Sequence, residues 1–392
     1  MTPTRTQVGI IGAGPAGLLL GELLAQAGIE SVILEARDRS HVEGRIRAGV
    51  LEEGTVSLLE QAGVGARLRR EGLVHSGCEI VSGSRRLRVD FQALAGKSVV
   101  VYGQTEVTRD LVRARLAAGR PIVWEAEHVG LHGFDGEWPR LTWREAGEER
   151  ALECDFIAGC DGFHGVSRAS IPPGQPQTCE RVYPFSWLGI LADVAPCSHE
   201  LIYASHTSGF ALASMRSATR SRYYIQCPPD TRIEDWPDER LWDELAVRLG
   251  PEAAARMTRG PAIEKSVVPL RSFVASPLRH GRLFLAGDAG HIVPPTGAKG
   301  LNLAASDVHH LSEALFAFFN SGDQAGLAAY SDRALARVWQ AERFSWWLTG
   351  LLHRLHVPGS FEAEMQRAEL SYLIHSRAAQ TAFAECYVGL PL

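Results

Sequence analysis

A short apolar run, Gln7–Ile11, passes directly into Gly12-Ala13-Gly14-Pro15-Ala16-Gly17, and Leu18–Ala27 then repeats apolar residues at helical spacing as far as Gly28. Ser31–Leu34 is a second β-prone run, and it ends on Glu35. Strand, glycine turn, helix, strand and acid in this order predict a βαβ unit that binds a dinucleotide. Each glycine has its own mechanical task. Gly12 makes the tight turn, Gly14 lets the backbone approach a pyrophosphate, and Gly17 lets the helix pack on the strand. The helix N-terminus offers free N–H groups and the positive end of its dipole to phosphates, and Glu35 can accept hydrogen bonds from a ribose diol. This fingerprint alone does not distinguish NAD(P) from FAD.

The same grammar returns late in the chain, where Arg282–Ala286 leads into Gly287-Asp288 and a helical tail beginning at Leu301. Between the two glycine loops the texture changes. Val99–Tyr102 reads as a strand, Thr105–Ala117 as a helix with Gln104 at their junction, and Ala151–Ala158 as a strand ending in Cys160-Asp161-Gly162. From about Glu180 to Ile263 the runs Trp187–Asp193, Leu201–Ala204, Phe210–Met215 and Ser221–Gln226 predict an inserted antiparallel sheet. The expected organisation is an α/β (α+β) chain. A Rossmann-like dinucleotide domain occupies 1–179 and 266–305, a β-sheet domain 180–265, and a helical region 306–392.

Composition excludes several functions. A net charge of −5 argues against a polyanion-binding surface, so no nucleic acid partner is expected. The seven cysteines include no CxxC pair and no histidine cluster at metal-ligand spacing, so they read as reduced thiols and no metal site is expected. The apolar N-terminal stretch breaks into glycines rather than a cleavage site, and no run reaches the roughly 18–20 apolar residues needed to cross a bilayer. A cytoplasmic enzyme or binding protein is expected, without a membrane partner.

The segments GAGPAG (12–17), CDG (160–162) and GDAGHIVPPTGAKGLN (287–302), in that order, resemble the single-component FAD-dependent aromatic hydroxylases. So do RIRAGVLE (45–52), YGQTEVTRDL (102–111), HELIYA (199–204), RSATRSRYY (216–224), VPLRSF (268–273), AERFSWW (341–347) and YVGLP (387–391). The resemblance runs from Gln7 to Pro391. It implies an FAD-binding Rossmann-like domain with an inserted β-sheet substrate domain and a helical C-terminal region. The implied activity is hydroxylation of 4-hydroxybenzoate to 3,4-dihydroxybenzoate with O2 and NADPH or NADH through a C4a-hydroperoxyflavin, or the same chemistry on a related hydroxy- or aminobenzoate. A homodimer is also implied. The fold also serves escort proteins of prenylated small GTPases, but the complete FAD loop and paired tyrosines argue against that reading. The WxWxIP signature of flavin-dependent halogenases is absent.

By resemblance, the substrate carboxylate falls to Arg216, Ser214 and Tyr224, and the Pro295 carbonyl faces the phenol oxygen. Arg216 and Ser214 lie two apart on a predicted strand and so share a face. Tyr203 and Tyr387 resemble the family's phenol-to-tyrosine relay, with His75 as its titratable exit to solvent. The implied FAD contacts are Gly12, Gly14, Ala16, Gly17, Glu35, Arg45, Arg47, Gln104, Arg222, Asp288, Leu301 and Asn302, with Lys299 adding electrostatic support. His164, Arg168 and Arg271 match positions that hold the pyridine nucleotide. After Glu35 the family commonly carries an arginine and then a tyrosine beside the NADPH phosphate. Here Ala36-Arg37-Asp38-Arg39-Ser40-His41 follows, leaving Arg37, Arg39 or His41 for a 2′-phosphate and both NADPH and NADH open.

Overall fold

The computed structural model describes residues 4–45 and 49–389. Strand β1 (Arg5–Ile11) runs into helix α1 (Pro15–Gln26) and strand β2 (Ser31–Leu34), the predicted βαβ unit. Strand β3 (Gly77–Ser82), helix α2 (Gln104–Ala117) and strand β4 (Glu148–Gly159) follow. Then come four long strands, β5 (Gln177–Ala192), β6 (Ile202–His206), β7 (Gly209–Ser217) and β8 (Arg220–Cys227). Helix α3 (Asp238–Leu249), strand β9 (Ala262–Ser276) and the short strand β10 (Leu283–Leu285) lead to helices α4 (Gly300–Ser321), α5 (Ala325–Leu352), α6 (Phe361–His375) and α7 (Arg377–Val388).

In the first sheet β1 lies between β2 and β4, parallel to both, and β10 extends the parallel set beyond β4. One face of β1 packs on α1 and the other on the strand Arg140–Glu145, where a Cβ on Gly9 would stand 2.7 Å from the Leu141 side chain, which is why Val8, Ile10 and Ile11 are all buried. Helix α1 is apolar around most of its circumference because α2 and α4 both pack against it. Its Leu18 and Leu20 are fully buried, each contributing about 2 kcal/mol of hydrophobic stabilisation.

The second sheet has the order His291–Ile292, β9, β5, β8, β7, β6, β3, Arg85–Asp90. Its strands alternate with period two. Ile202, Ala204, Ala211, Ala213, Tyr223 and Ile225 face α3, whose Leu241, Trp242, Leu245 and Leu249 complete one core. The opposite residues, among them Trp187, Tyr203, Phe210 and Leu212, face α5 and α7 and pack with Phe344, Leu348, Phe383 and Tyr387. The C-terminal helices therefore form the second wall of whatever this face holds.

The expected inserted sheet is present, but the segment 180–265 does not build it alone. Strand β3 pairs in parallel with β6, so residues assigned to the dinucleotide domain belong to the second sheet. The expected breaks at 179/180 and 265/266 also fall inside β5 and β9, which pair from Gln177–Ser276 through to Ala192–Ala262. Strand pairing between segments so distant in sequence leaves no mark in local periodicity. Among the described residues, no helix is long and apolar enough to cross a membrane, and no group of histidines, cysteines or carboxylates could hold a metal ion.

Candidate active site

The fold brings the three glycine-bearing motifs to one place. Gly12 has φ +102°, and a Cβ there would stand 2.4 Å from the Cys160 carbonyl oxygen. Gly17 could carry no side chain either, since its Cβ would stand 2.1 Å from the Gly12 carbonyl oxygen. Among the described residues a Cβ on Gly14 meets nothing within 4 Å, and no side chain caps the α1 N-terminus. That open, uncapped end is the surface a pyrophosphate needs. A Cβ on Gly287, which has φ +63°, would lie 3.6 Å from that of Ala16, so the second glycine loop adjoins the first. Arg168 ties the CDG loop to it by donating to the carbonyls of Ala289 at 2.7 Å and Phe163 at 2.5 Å.

Glu35 lies at the end of β2 and accepts the N–H groups of Ala13 at 2.7 Å and Arg37 at 2.9 Å. It thus braces the first loop as well as standing where a ribose would lie. Gln104 opens α2 beside Arg45, because Thr105 donates its hydroxyl to the Arg45 carbonyl at 2.9 Å. Arg47 lies outside the described residues.

Asp288 is exposed at the turn that follows β10, and Pro295 is exposed while Pro294 is buried. Asn302 is buried, and its side chain is wholly engaged. The amide oxygen accepts from Glu52 N–H at 2.9 Å and the Thr55 hydroxyl at 2.8 Å, while the amide nitrogen donates to the carbonyls of Val50 and Ala298. Among the described residues no side chain caps α4, so the backbone around Leu301 and Asn302 presents a second positive helix end.

Two buried ionic groups that sequence reasoning missed hold this loop. Asp307 accepts from Gly287 N–H at 2.8 Å and from His291 Nε2 at 2.6 Å. Burial opposes charge on His291, yet the Asp307 carboxylate outweighs it and raises the imidazole pKa. Glu52 accepts from Lys299 at 2.5 Å and from Arg337 at 2.7 Å, while burial lowers the Lys299 pKa against that carboxylate. The only local signal for Asp307 was an acid within an apolar helical run; Glu52 and Arg337 gave none.

On the second sheet Tyr203 pairs with Leu212, Leu212 with Tyr224 and Tyr224 with Gly189, one row across four strands. A Cβ on Gly189 would stand 2.6 Å from the Tyr224 ring, so the glycine makes room for it. Ser214 is paired with Arg222 in the next row and donates to its carbonyl at 2.9 Å. Arg216 reaches the Ser214 hydroxyl only at 3.3 Å, and its Nε has no partner among the described residues. Burial lowers its pKa, with Tyr224 opposing. Arg222 is held by Glu264 at 2.9 Å and Ser266 at 2.7 Å, with its guanidinium 5.0 Å from the Tyr224 ring centre. Tyr203 and Tyr387 are both buried, with hydroxyl oxygens 2.7 Å apart. Burial raises both hydroxyl pKa values.

His75 departs from expectation. It is 1% exposed, neither ring nitrogen has a partner among the described residues, and burial pushes its pKa down to about 4 against a weaker pull from Glu200. In this conformation it is not a solvent exit that titrates near neutrality, because a buried imidazolium loses its hydration without gaining a counter-ion. The unfolded chain protonates this histidine below about 6.5 and the folded chain does so only near 4. Its contribution to stability is therefore present above pH 6.5 and lost as pH falls towards 4, on the order of 3 kcal/mol. Melting temperatures from pH 4 to 8 should show a shallower acid decline for His75→Leu than for the parent. Equal declines would refute the sealed histidine.

The pyridine-nucleotide candidates fall into two groups. The guanidinium groups of Arg168 and Arg271 each lie 4.7 Å from the Phe163 ring centre, and His164 packs on the same ring. Arg37 and His41 are exposed on the segment after β2, where the His41 N–H is capped by Asp38 at 2.9 Å.

Comparison with known proteins agrees with this geometry. Residues 5–345 match a family profile described as an FAD binding domain. The p-hydroxybenzoate hydroxylase of Acinetobacter baylyi is 56% identical over 392 residues, covering 100% of this chain and 97% of that protein. A para-nitrophenol 4-monooxygenase of Pseudomonas sp. is 25% identical over 341 residues, 81% of this chain and 80% of its own. The crystal structure of p-nitrophenol 4-monooxygenase from Pseudomonas putida has the same fold, with a TM-score of 0.81 over the whole of both chains at 18% identity. Three converging loops fit for a dinucleotide, a buried tyrosine pair on the sheet face that carries Ser214 and Tyr224, and these matches place the chain in the family of FAD-dependent aromatic hydroxylases.

Proposed function

We propose that this enzyme hydroxylates 4-hydroxybenzoate to 3,4-dihydroxybenzoate, using FAD, O2 and NADPH or NADH. The observation that carries the reading is the buried Tyr203–Tyr387 hydroxyl pair on the same sheet face as Ser214 and Tyr224, with Arg216 reaching the Ser214 hydroxyl at 3.3 Å. The two ends of a para-substituted hydroxy acid need those two kinds of partner. FAD when bound supplies the redox chemistry and the activation of oxygen.

The chain holds FAD through Gly12, Gly14, Ala16, Gly17 and Glu35 at one end and Asp288, Leu301 and Asn302 at the other, with Arg45, Arg47, Gln104 and Arg222 alongside. The free end of α1 stabilises phosphate charge, and the free end of α4 stabilises negative charge on the ring system. Arg216, Ser214 and Tyr224 bind the substrate carboxylate. Tyr203 takes the phenolic proton and passes it to Tyr387, which enriches the ring in electrons. Pro295 lines the phenol end. His75 receives the proton when residues 73–75 open to water, and His164, Arg168, Arg271, Arg37 and His41 serve the pyridine nucleotide. A cytoplasmic homodimer suits the exposed apolar side chains of α5 and α6, Trp339, Trp346, Phe361, Met365 and Tyr372.

The purified protein should carry a flavin spectrum, and 4-hydroxybenzoate should accelerate NADPH or NADH oxidation with stoichiometric 3,4-dihydroxybenzoate. A colourless protein would end the enzyme reading, and oxidation that yields only hydrogen peroxide would exclude this substrate.

A further inference from the structure

The last turn of α5 carries a chain of buried hydrogen bonds to both walls of the proposed substrate space. Trp187 of β5 donates its indole N–H to His353 Nε2 at 2.7 Å. His353 Nδ1 stands 2.9 Å from the Thr349 carbonyl oxygen, which can only accept. Both contacts are satisfied together by a neutral imidazole protonated on Nδ1. Burial pushes this imidazole down to about 3, so it keeps that form across the physiological range. The Thr349 hydroxyl donates to the Ser345 carbonyl at 2.7 Å. Thr296, the neighbour of Pro295, therefore donates to Thr349 Oγ1 across 2.8 Å. His353, Thr349 and Thr296 are fully buried, and Trp187 is 2% exposed.

The aromatic packing shows what the chain holds in place. The His353 ring stacks on Phe210 at 4.2 Å and Phe185 at 4.5 Å. The Trp187 ring stacks on Phe210 at 5.1 Å and lies 5.1 Å from Tyr224. On the opposite wall a Cβ on Gly297 would stand 2.8 Å from Ser345 Oγ, so the loop rests directly on the helix. Gln366 of α6 donates to the carbonyls of Gly350, Leu351 and His353 and secures the end of the turn.

We propose that His353 and Thr349 are positioning residues for the substrate pocket: one helical turn fixes the Trp187 ring on the sheet and Thr296 on the Pro295 loop, and so sets the distance between them. This inference rests on the reading of that space as the aromatic acid site.

The test uses the FAD-loaded enzyme and 4-hydroxybenzoate, with affinity read from the change in the flavin visible spectrum and kcat and KM from turnover. His353→Leu strands the buried indole N–H and should raise the dissociation constant about tenfold, with a smaller change in kcat. His353→Gln restores an acceptor and should return affinity to within about threefold of the parent. Should His353→Leu fail to fold, Trp187→Phe keeps a ring and removes only the donor, and about a fivefold loss is expected. The Trp187→Phe/His353→Leu pair should bind no worse than His353→Leu alone, because both changes remove one contact. Parent-like affinity in His353→Leu or Trp187→Phe, or equal losses in the Leu and Gln variants, would overturn the positioning role while leaving the substrate reading intact. A parent enzyme that does not bind 4-hydroxybenzoate would overturn both.

Discussion

Tyr203→Phe should leave FAD bound while 3,4-dihydroxybenzoate formation falls about a hundredfold or more, the scale of a lost positioned proton acceptor. Among the described residues the Tyr203 hydroxyl has one close partner, Tyr387 at 2.7 Å, and both rings are almost fully buried. Burial raises both hydroxyl pKa values, so neither tyrosine is an anion in the resting site. The pair transmits a proton rather than storing charge. Tyr387→Phe should therefore cost about as much, and the double variant little more than either, as expected of residues that act as a unit. Pyridine-nucleotide oxidation should continue in these variants and be diverted to hydrogen peroxide. Measuring product against peroxide in the single and double variants is the check. Product formation within about fivefold of the parent would remove the tyrosine pair from the chemistry.

The second large effect concerns binding. Arg216→Ala should raise the dissociation constant of 4-hydroxybenzoate by about thirtyfold or more, since truncating one partner of a desolvated charge pair costs roughly 2–5 kcal/mol. Arg216 is half-buried, its Nε is shut off from water without a partner among the described residues, and its Nη1 donates to the Met215 carbonyl at 3.0 Å but reaches the Ser214 hydroxyl only at 3.3 Å. The Glu264 carboxylate that attracts it is already paired with Arg222, and a substrate carboxylate supplies an anion of its own. Arg216→Lys should recover only part of the loss because an ammonium cannot form the two-pronged contact. 4-Hydroxybenzamide, which has no carboxylate, provides the control: its binding should differ little between the parent and Arg216→Ala. Equal losses for acid and amide would mean that Arg216 supports the pocket wall without reading charge.

The nucleotide loop was legible because its requirements are local. Gly12, Gly14 and Gly17 stand within six residues of one another, and a turn, a helix start and a close backbone approach are short-range demands. Ser214 and Arg216 were paired for the same reason, since two residues along a strand share a face. The residue type of His75 speaks of neutral-pH titration, whereas its burial, which only the fold decides, pushes its pKa down to about 4 in this conformation. The breaks expected at 179/180 and 265/266 fall inside β5 and β9, two strands joined by their pairing with each other.

The chain alone thus determined the βαβ start, the strand alternation that puts residues two apart on one face, and the glycines without which backbone could not meet backbone. All of these depend on residues a few positions apart, and the family resemblance extended them into a list of site residues. Tertiary structure decided which distant groups share one buried space: Tyr203 with Tyr387 across 184 positions, Lys299 with Glu52 across 247, and Trp187 with His353 across 166. Burial and hydrogen-bond partnership set the charge and direction of such groups. Both arise only when remote segments close on one another and exclude water.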